Sequence, residues 1–451
     1  MANARHAIRR LAGILLLALT VILAAGAAGA PAAPTQPASP APSATTAVQE
    51  QPSAVRGYTL PPEKYRQAVA YARARYTLYF IEVAWGLLAL LMVLRWRLAP
   101  RYRDWAERAV RFRFLQAWIF VPLLLLTLGV LSLPPELYGH WLSVKYQQSV
   151  QGWGSWAWDW TKGQFVYFVV GSLLVWLLYA VIRHSPRRWW FYFWLASVPL
   201  IVLSVLLTPM VIDPLFFRFE PLRKEQPVLT SEIQKVVHRA GLVIPDNRMF
   251  EMKASEKTNS LNAYVTGLGA SKRVVVYDTT IRKMTVPQTL YVFGHEMGHY
   301  VLNHIWKGIA FAAAGLLLLL YLSYRAVNRT LARRGAGWGI RGADDWASLP
   351  LLLLWLSVFA FLSSPVDAAF SRYVEHQADI YGLEVTHGLV ADPQQNAAQA
   401  FQILGEVDLD DPDPNPFIRF WLYDHPPLDE RIQFVLHYDP WAKGHQPEFV
   451  K

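Results

Sequence analysis

The stretch His295-Glu296-Met297-Gly298-His299 places two histidines four residues apart, with a glutamate directly after the first. Residues four apart lie on one face of an α-helix, so both imidazoles can reach one metal ion while the carboxylate projects beside it. The pattern predicts a helix that binds zinc through His295 and His299 and uses Glu296 as a general base. A solvated helix face can show the same spacing by chance, so other parts of the chain must support the prediction.

A catalytic zinc site has three protein ligands and one open position, so a third ligand must come from elsewhere. Glu375 is the best candidate, and we expect it at the start of another helix. Asp379 follows one turn later, where it could accept a hydrogen bond from the far nitrogen of a ligand histidine. His376 is the alternative ligand, but its position one residue round the helix favours a packing or surface role.

The composition is typical of a membrane protein, because 53% of the 451 residues are hydrophobic and 17% are charged. Six apolar runs each approach the ~20 residues that a spanning helix needs. Trp, Tyr and Arg at their ends are typical of interfacial anchors. Blocks of four and five consecutive leucines argue against the alternative, the buried helices of a soluble protein. The six runs cover residues 77–94, 115–133, 165–182, 190–211, 305–324 and 349–366.

A further apolar run begins near Ile8 and ends in small residues before residue 31, which resembles a signal peptide or an uncleaved anchor. The Ala/Pro/Ser/Thr tract that follows cannot build a core and predicts a flexible linker. The sequence contains no cysteine, which excludes disulfides, thiolate ligands and a thiol nucleophile. Any metal site must therefore use histidine and carboxylate ligands.

The net charge of +10 is distributed beside the apolar runs, which indicates membrane topology and gives no reason to expect a nucleic-acid partner. If the runs alternate across the bilayer, three Arg-rich loops share one side, which the positive-inside rule makes cytoplasmic. The metal motif then faces the extracytoplasmic side of a cell membrane. The loops contain Arg95, Arg97, Arg101, Arg103, Arg108, Arg111 and Arg113, then Arg183, Arg187 and Arg188, then Arg325, Arg329, Arg333, Arg334 and Arg341.

These observations predict a mainly α, multi-pass membrane protein whose catalytic body comes from two polar segments and contains a small β-hairpin or sheet. The predicted divisions are 1–30, a signal peptide or anchor; 31–56, a Pro/Ala-rich linker; 57–212, four spans; 213–304, the segment with the metal motif; 305–366, two spans; and 367–451, the segment with the third ligand.

Two strands are predicted over residues 249–252 and 273–277, and a polar segment with a glycine lies between them. An edge strand above the metal helix could pair with an extended substrate backbone. Asn262, Ala263 and Tyr264 are the candidates for this contact. An ordinary hairpin with a glycine turn is the alternative for the same residues.

Five motifs, in this order, resemble those of the type I CAAX prenyl endopeptidases, membrane zinc proteases of peptidase family M48. The resemblance covers most of the chain after about residue 75. The motifs are Ser-x-Asn-Ala-Tyr-x-x-Gly at 260–267, Lys-Arg-Val-Val-Val-Tyr-Asp-Thr at 272–279, His-Glu-x-Gly-His at 295–299, Phe-Ser-Arg through Glu375 to Ala378-Asp379, and His-Pro-Pro-Leu-x-Glu-Arg at 425–431.

The resemblance implies a helical membrane chamber with a gluzincin-type zinc site in its wall and substrate bound along the strand that contains Asn262 and Ala263. It implies that His425 stabilises the oxyanion of the transition state and that Arg431 helps to hold the His425 loop. From the residues alone, the His-Pro-Pro segment predicts only a turn before a helix.

The chain also differs from the eukaryotic members, which have seven spans and an active site toward the cytosol. We therefore predict an endopeptidase with one Zn²⁺ per chain that acts on membrane-associated or misfolded peptides, with prenylated substrates and oligomeric state left open. A zinc-binding quality-control protein without protease activity is one alternative, which the intact Glu296 disfavours. A proton-relay transporter is the other, although its ionisable residues would lie within spans and not beside polar segments.

Overall fold

The computed structural model describes residues 54–267 and 272–450, so the signal-like segment and the linker up to residue 53 lie outside the described residues. The helices are α1 Pro62–Arg95, α2 Leu98–Ala109, α3 Arg113–Lys145, α4 Trp153–His184, α5 Trp189–Leu207, α6 Asp213–Phe216, α7 Leu222–Glu225, α8 Pro227–Arg239, α9 Asp278–Lys283, α10 Val286–Val301, α11 His304–Trp338, α12 Leu349–Thr386, α13 Pro393–Asp408, α14 Pro416–Leu422 and α15 Leu428–His437. The strands are β1 Phe219–Pro221, β2 Met249–Met252, β3 Ala263–Thr266 and β4 Arg273–Tyr277.

Within the described residues, six helices are long and apolar enough to cross a membrane: α1, α3, α4, α5 with its continuation to Phe216, α11 and α12. Each contains one of the predicted apolar runs, so the prediction of a multi-pass α-helical membrane protein is confirmed. When the turn from Trp346 that precedes α12 is included, these helices have 28 to 41 residues, more than the ~20 that cross a bilayer. Their polar ends therefore extend out of the membrane, and some of them contribute to the catalytic body.

The spanning helices pack around a core of large apolar side chains, with Phe120, Tyr179 and Trp346 fully buried. Tyr179 and Ser348 share a hydrogen bond of 2.7 Å between their hydroxyls, so a polar group inside the bundle has a partner. This core fixes the start of α12 against α3 and α4. The position of α12 matters because the same helix continues into the catalytic body.

The catalytic body contains a four-stranded sheet in the order β1-β2-β4-β3. The central strands β2 and β4 pair in parallel, whereas β1 and β3 pair antiparallel with their neighbours. Strands β2 and β4 have the predicted bounds, so those two predictions are confirmed. Strand β3 is an edge strand that packs on α10, where one side of its backbone can pair with another chain.

The prediction that Glu375 lies at the start of a separate helix is wrong. Helix α12 runs unbroken from Leu349 to Thr386, through Pro365, so the sixth span continues directly into the catalytic body. The change from apolar to polar composition near residue 366 marks where α12 leaves the apolar bundle. The helix itself continues past this point. Glu375 and Asp379 are consequently held by a helix that is anchored in the membrane.

Residues 54–60 lie against α13 and α15, just before the first span begins. The backbone N–H of Tyr58 donates to Asp429 at 3.0 Å, and its hydroxyl donates to the carbonyl of Asp410 at 3.2 Å. The backbone N–H of Val55, within the predicted linker, donates to Gln395 at 3.1 Å. The chain therefore enters α1 from the side of the membrane that carries the catalytic body.

Candidate active site

Helix α10 carries the His-Glu-x-x-His segment and starts at a well-formed cap. Thr285 and Gln288 form a capping box, in which the backbone N–H of Thr285 donates to the Gln288 side chain at 2.9 Å. Gly294 lets α10 approach α12 closely, since a Cβ there would lie 2.8 Å from Val385. Gly298 does the same one turn later, against Tyr381. The glycines therefore bring the two helices that carry the predicted metal ligands together.

The three predicted ligands meet at one point. The Nε2 atom of His295 lies 3.3 Å from Glu375 Oε2, and the Nε2 atom of His299 lies 3.6 Å from Glu375 Oε1. The two Nε2 atoms are 3.2 Å apart. Among the described residues, these three form the group of histidine and carboxylate side chains whose ligand atoms lie close enough to hold one metal ion.

Asp379 contacts the far ring nitrogen of one ligand histidine, His295. Its Oδ1 atom lies 2.9 Å from His295 Nδ1, and the Arg431 guanidinium donates to both of its oxygens at 2.6 and 2.9 Å. Burial disfavours the charged imidazole, but the hydrogen bonds and charges of Asp379 and Glu375 outweigh it and raise the pKa of His295 to about 9. The surroundings of this histidine thus stabilise a positive charge.

His299 has a different partner, which the sequence analysis missed. Its Nδ1 atom lies 3.1 Å from Nδ1 of His304, the first residue of α11, and Nε2 of His304 lies 3.1 Å from Gln377 Oε1. The sequence gives little indication of this role for His304, because a histidine directly before an apolar run belongs to none of the motifs described above. Its spacing of five residues from His299 was the available clue.

The remaining predicted residues lie around this group. Glu296 follows His295 on α10, and its side chain is buried. His425, on the loop before α15, is buried, and its Nε2 atom lies 2.8 Å from Glu375 Oε2. His376 is exposed and contacts the ring of Phe434, with ring centroids 4.5 Å apart, so it is outside the group.

The three candidates for substrate binding lie at the start of the edge strand. Ala263 and Tyr264 belong to β3 and face Val276 and Val275 of β4. Asn262 precedes them and is buried, and its backbone N–H donates to Thr280 at 2.7 Å. Its side-chain amide makes no hydrogen bond with the described residues, although both amide atoms are buried. Buried amides in proteins are normally hydrogen-bonded, so this amide is available to a ligand or to water.

Two histidines of the His-Glu-x-x-His helix and Glu375 of α12 could hold one metal ion, and they lie beside a bundle of helices long enough to span a membrane; this combination is typical of a multi-pass membrane metalloprotease. The chain belongs to peptidase family M48. Residues 223–439 match the model of that family, and residues 44–218 match the model described as "CAAX prenyl protease N-terminal, five membrane helices".

Known relatives agree with this assignment. The chain is 36% identical over 390 residues to the uncharacterized metalloprotease YhfN of Bacillus subtilis, covering 85% of this chain and 89% of the relative. It is 24% identical to CAAX prenyl protease 1 of Saccharomyces cerevisiae, covering 82% and 85%. The crystal structure of S. mikatae Ste24p shares the fold, with a TM-score of 0.72 at 23% identity over 84% of this chain and 90% of that one.

Proposed function

We propose that this protein is a zinc endopeptidase that hydrolyses membrane-associated peptides or proteins, with one Zn²⁺ held by His295, His299 and Glu375. Glu296 acts as the general base. The observation that carries the proposal is the convergence of three ligand atoms beside a buried glutamate of the same helix.

The donor atoms fit a tetrahedral zinc ion. With Nδ1 of His295 protonated toward Asp379, its Nε2 atom presents a lone pair toward the Glu375 carboxylate. Two nitrogens bound at about 2.1 Å in a tetrahedral shell lie about 3.4 Å apart. The Nε2 atoms of His295 and His299 are 3.2 Å apart, and their distances to Glu375 are 3.3 and 3.6 Å. Without cysteine ligands, this set of histidine and carboxylate donors suits a catalytic zinc site.

Bound zinc supplies a Lewis acid and lowers the pKa of a water ligand toward ~7. Glu296 follows His295 directly on α10, so its carboxylate can take a proton from the attacking water. The same carboxyl group then delivers the proton to the leaving amine. This acid-base sequence needs no covalent intermediate with the protein.

His425 and Asp379 support the chemistry from different elements. His425 reaches the edge of the ligand group from the loop before α15, where a ring N–H can donate to an oxygen that gains negative charge. Asp379 fixes the ring orientation of His295, and Arg431 neutralises the buried carboxylate of Asp379. These contacts support the roles that the family resemblance implies for His425 and the spacing implies for Asp379.

Substrate binding is proposed along β3, at Asn262, Ala263 and Tyr264. An extended peptide can add to the free side of an edge strand through main-chain hydrogen bonds. The buried amide of Asn262, which makes no hydrogen bond with the described residues, could then donate to and accept from the backbone of the added peptide.

We propose that the catalytic body lies on the extracytoplasmic side. Residues 54–60 contact the catalytic body, so the first span starts on that side, and six spans return the chain to it. The Arg-rich loops then lie at the other end of the spans, which the positive-inside rule places in the cytoplasm. The substrate would be reached at the membrane surface, because Glu375 lies on the helix of the sixth span and a short turn joins α10 to the fifth span.

Because the chain has no cysteine, single cysteines report sidedness without background. Ser231→Cys lies on α8 of the catalytic body, and Arg187→Cys lies between α4 and α5; both positions are exposed. A membrane-impermeant maleimide applied to intact cells should label Ser231→Cys and should label Arg187→Cys only after lysis. The reverse pattern would place the catalytic body in the cytoplasm.

The enzymatic proposal is tested by zinc content and hydrolysis of a quenched fluorescent peptide by detergent-purified protein. Glu296→Gln should keep zinc and lose about 10²- to 10⁴-fold in rate, because only the base is removed. Glu375→Ala should lose both zinc and activity. Glu430→Gln, at an exposed glutamate of α15, is the control and should match the native protein. Undiminished hydrolysis by Glu296→Gln would contradict the proposal.

A further inference from the structure

We infer that His304 is a positioning residue for the metal ligand His299, through a neutral hydrogen-bonded chain that ends at Gln377. The inference rests on the proposed zinc site. It assigns a role to His304, which is not among the site residues predicted from the sequence. Its basis is two contacts of 3.1 Å, from His304 Nδ1 to His299 Nδ1 and from His304 Nε2 to Gln377 Oε1.

The turn between α10 and α11 brings His304 to this position. Helix α10 ends at Val301, and Asn303 adopts the left-handed conformation with φ 59°. Asparagine tolerates this region better than most residues. The turn lets the first residue of α11 fold back onto the metal helix, and His304 is buried there with 3% of its surface exposed. A left-handed residue and a buried histidine at one turn indicate a specific arrangement.

The Gln377 side-chain oxygen faces Nε2 of His304, and this orientation assigns the protons of the chain. The side-chain oxygen of Gln377 can only accept, so Nε2 of His304 carries a hydrogen and donates to it. A neutral imidazole then has a lone pair on Nδ1, which accepts from Nδ1–H of His299. This leaves the lone pair of His299 on Nε2, the atom that lies 3.6 Å from Glu375 Oε1. The chain therefore selects the tautomer in which His299 can bind a metal ion.

The two ligand histidines are thus oriented by different chemistry. Asp379 carries a charge that Arg431 neutralises, at 2.6 Å. His304 instead contacts His299 and Gln377, and a carboxylate in its place would add a further negative charge near Glu375. A neutral imidazole orients His299 without that charge. It also joins His299 to two spanning helices, because His304 begins α11 and Gln377 lies on α12.

The test compares His304→Leu with His304→Asn in the full-length protein. Leucine removes the acceptor, whereas the side-chain oxygen of asparagine can occupy about the place of Nδ1. His376→Leu, at the exposed neighbour of Glu375, is the matched control. Zinc affinity is measured by competition with a chromophoric chelator, and the ligand geometry by the visible absorption of the Co²⁺-substituted protein. Thermal unfolding of the metal-free variants checks that each one folds.

We expect His304→Leu to bind zinc about 10- to 100-fold more weakly than the native protein and to shift the Co²⁺ spectrum. His304→Asn should recover most of the affinity and the native spectrum, and His376→Leu should change neither. If the native protein binds zinc and a folded His304→Leu binds it equally tightly, the inference fails while the proposed function stands. Equal losses in the Leu and Asn variants would also overturn it. A native protein without zinc would overturn the proposed function itself.

Discussion

Two buried Arg–Asp pairs lie at opposite ends of the bundle: Arg431 donates to both oxygens of Asp379, whereas Arg103 donates to one oxygen of Asp345. Arg431 and Asp379 are 2.6 Å apart at the catalytic end, and Arg103 and Asp345 are 2.6 Å apart at the Arg-rich end. Asp345 lies just before α12, and Asp379 lies about 45 Å along that helix at 1.5 Å per residue. The two pairs differ in the other groups that each aspartate carboxylate contacts.

At the Arg-rich end, Asp345 accepts hydrogen bonds from the backbone N–H groups of Arg341 and Ala347, so the pair holds a loop and a helical turn. At the catalytic end, Asp379 faces His295 Nδ1 at 2.9 Å. The same ion pair can therefore stabilise backbone in one place and orient a metal ligand in another. The partner of the carboxylate, and not the pair itself, indicates function.

The strongest test of this comparison removes the arginine from each pair. Arg431→Leu and Arg103→Leu should each destabilise the protein by about 3–5 kcal/mol, because a buried carboxylate loses its counter-charge. Thermal unfolding in detergent should show a loss for both. Zinc binding by the folded fraction should weaken only in Arg431→Leu. Equal zinc affinity in the two variants would remove the distinction between the pairs.

A milder test replaces the carboxylates while keeping their shape. Asp379→Asn should weaken zinc binding by about 10- to 100-fold, because the partner of His295 loses its charge. Asp345→Asn should lower the unfolding temperature and leave zinc affinity at the native value. Chelator competition on both proteins measures the difference, and a zinc defect in Asp345→Asn would break the comparison.

The helix crossing at the catalytic end can be compared with the packing of a span. A Cβ at Gly294 would lie 2.8 Å from Val385, whereas one at Gly315 of α11 meets no atom within 4 Å outside its own helix. Gly294→Ala should therefore cost about 1–3 kcal/mol of stability by overpacking and lower hydrolytic activity. Gly315→Ala should be neutral or slightly stabilising. Thermal unfolding and peptide hydrolysis of both variants measure these effects. A fully active and stable Gly294→Ala would contradict the close approach of α10 and α12.

The smallest effects are expected at exposed ion pairs, one at each end. Arg341 pairs with Glu107 with 57% of its side chain exposed, and Arg419 pairs with Glu430 with 42% exposed. Solvent screens both pairs, so Arg341→Ala and Arg419→Ala should each change stability by about 0–1 kcal/mol. Neither should alter zinc content. A large activity loss in Arg419→Ala would show that the α14 segment contributes to the site.

Much of the fold and site was predictable because the signals are local. The apolar runs match the six spanning helices, and strands β2 and β4 begin and end where expected. The spacing of His295 and His299 predicted two ligands, Glu375 was the candidate for the third, and the structure brings the three side chains together. The one-turn offset of Asp379 from Glu375 predicted a contact with a ligand histidine, and in the structure that histidine is His295.

The rest depends on long-range packing that periodicity does not encode. The change in polarity near residue 366 predicts a helix boundary between the sixth span and the polar segment, whereas α12 continues through it. His304 and Gln377 meet only because the turn at Asn303 and the position of α12 bring them together. Likewise, contact of Tyr58 with Asp429 joins residues 371 positions apart, and no local pattern predicts it.

The most direct test of the account is removal and return of zinc in the detergent-purified native protein. We predict about one zinc per chain, loss of peptide hydrolysis when a strong chelator removes it, and recovery when zinc is added back to stoichiometric level. Hydrolysis that persists in the zinc-free protein, or a folded protein that binds no zinc, would contradict the claim that His295, His299 and Glu375 form the catalytic metal site.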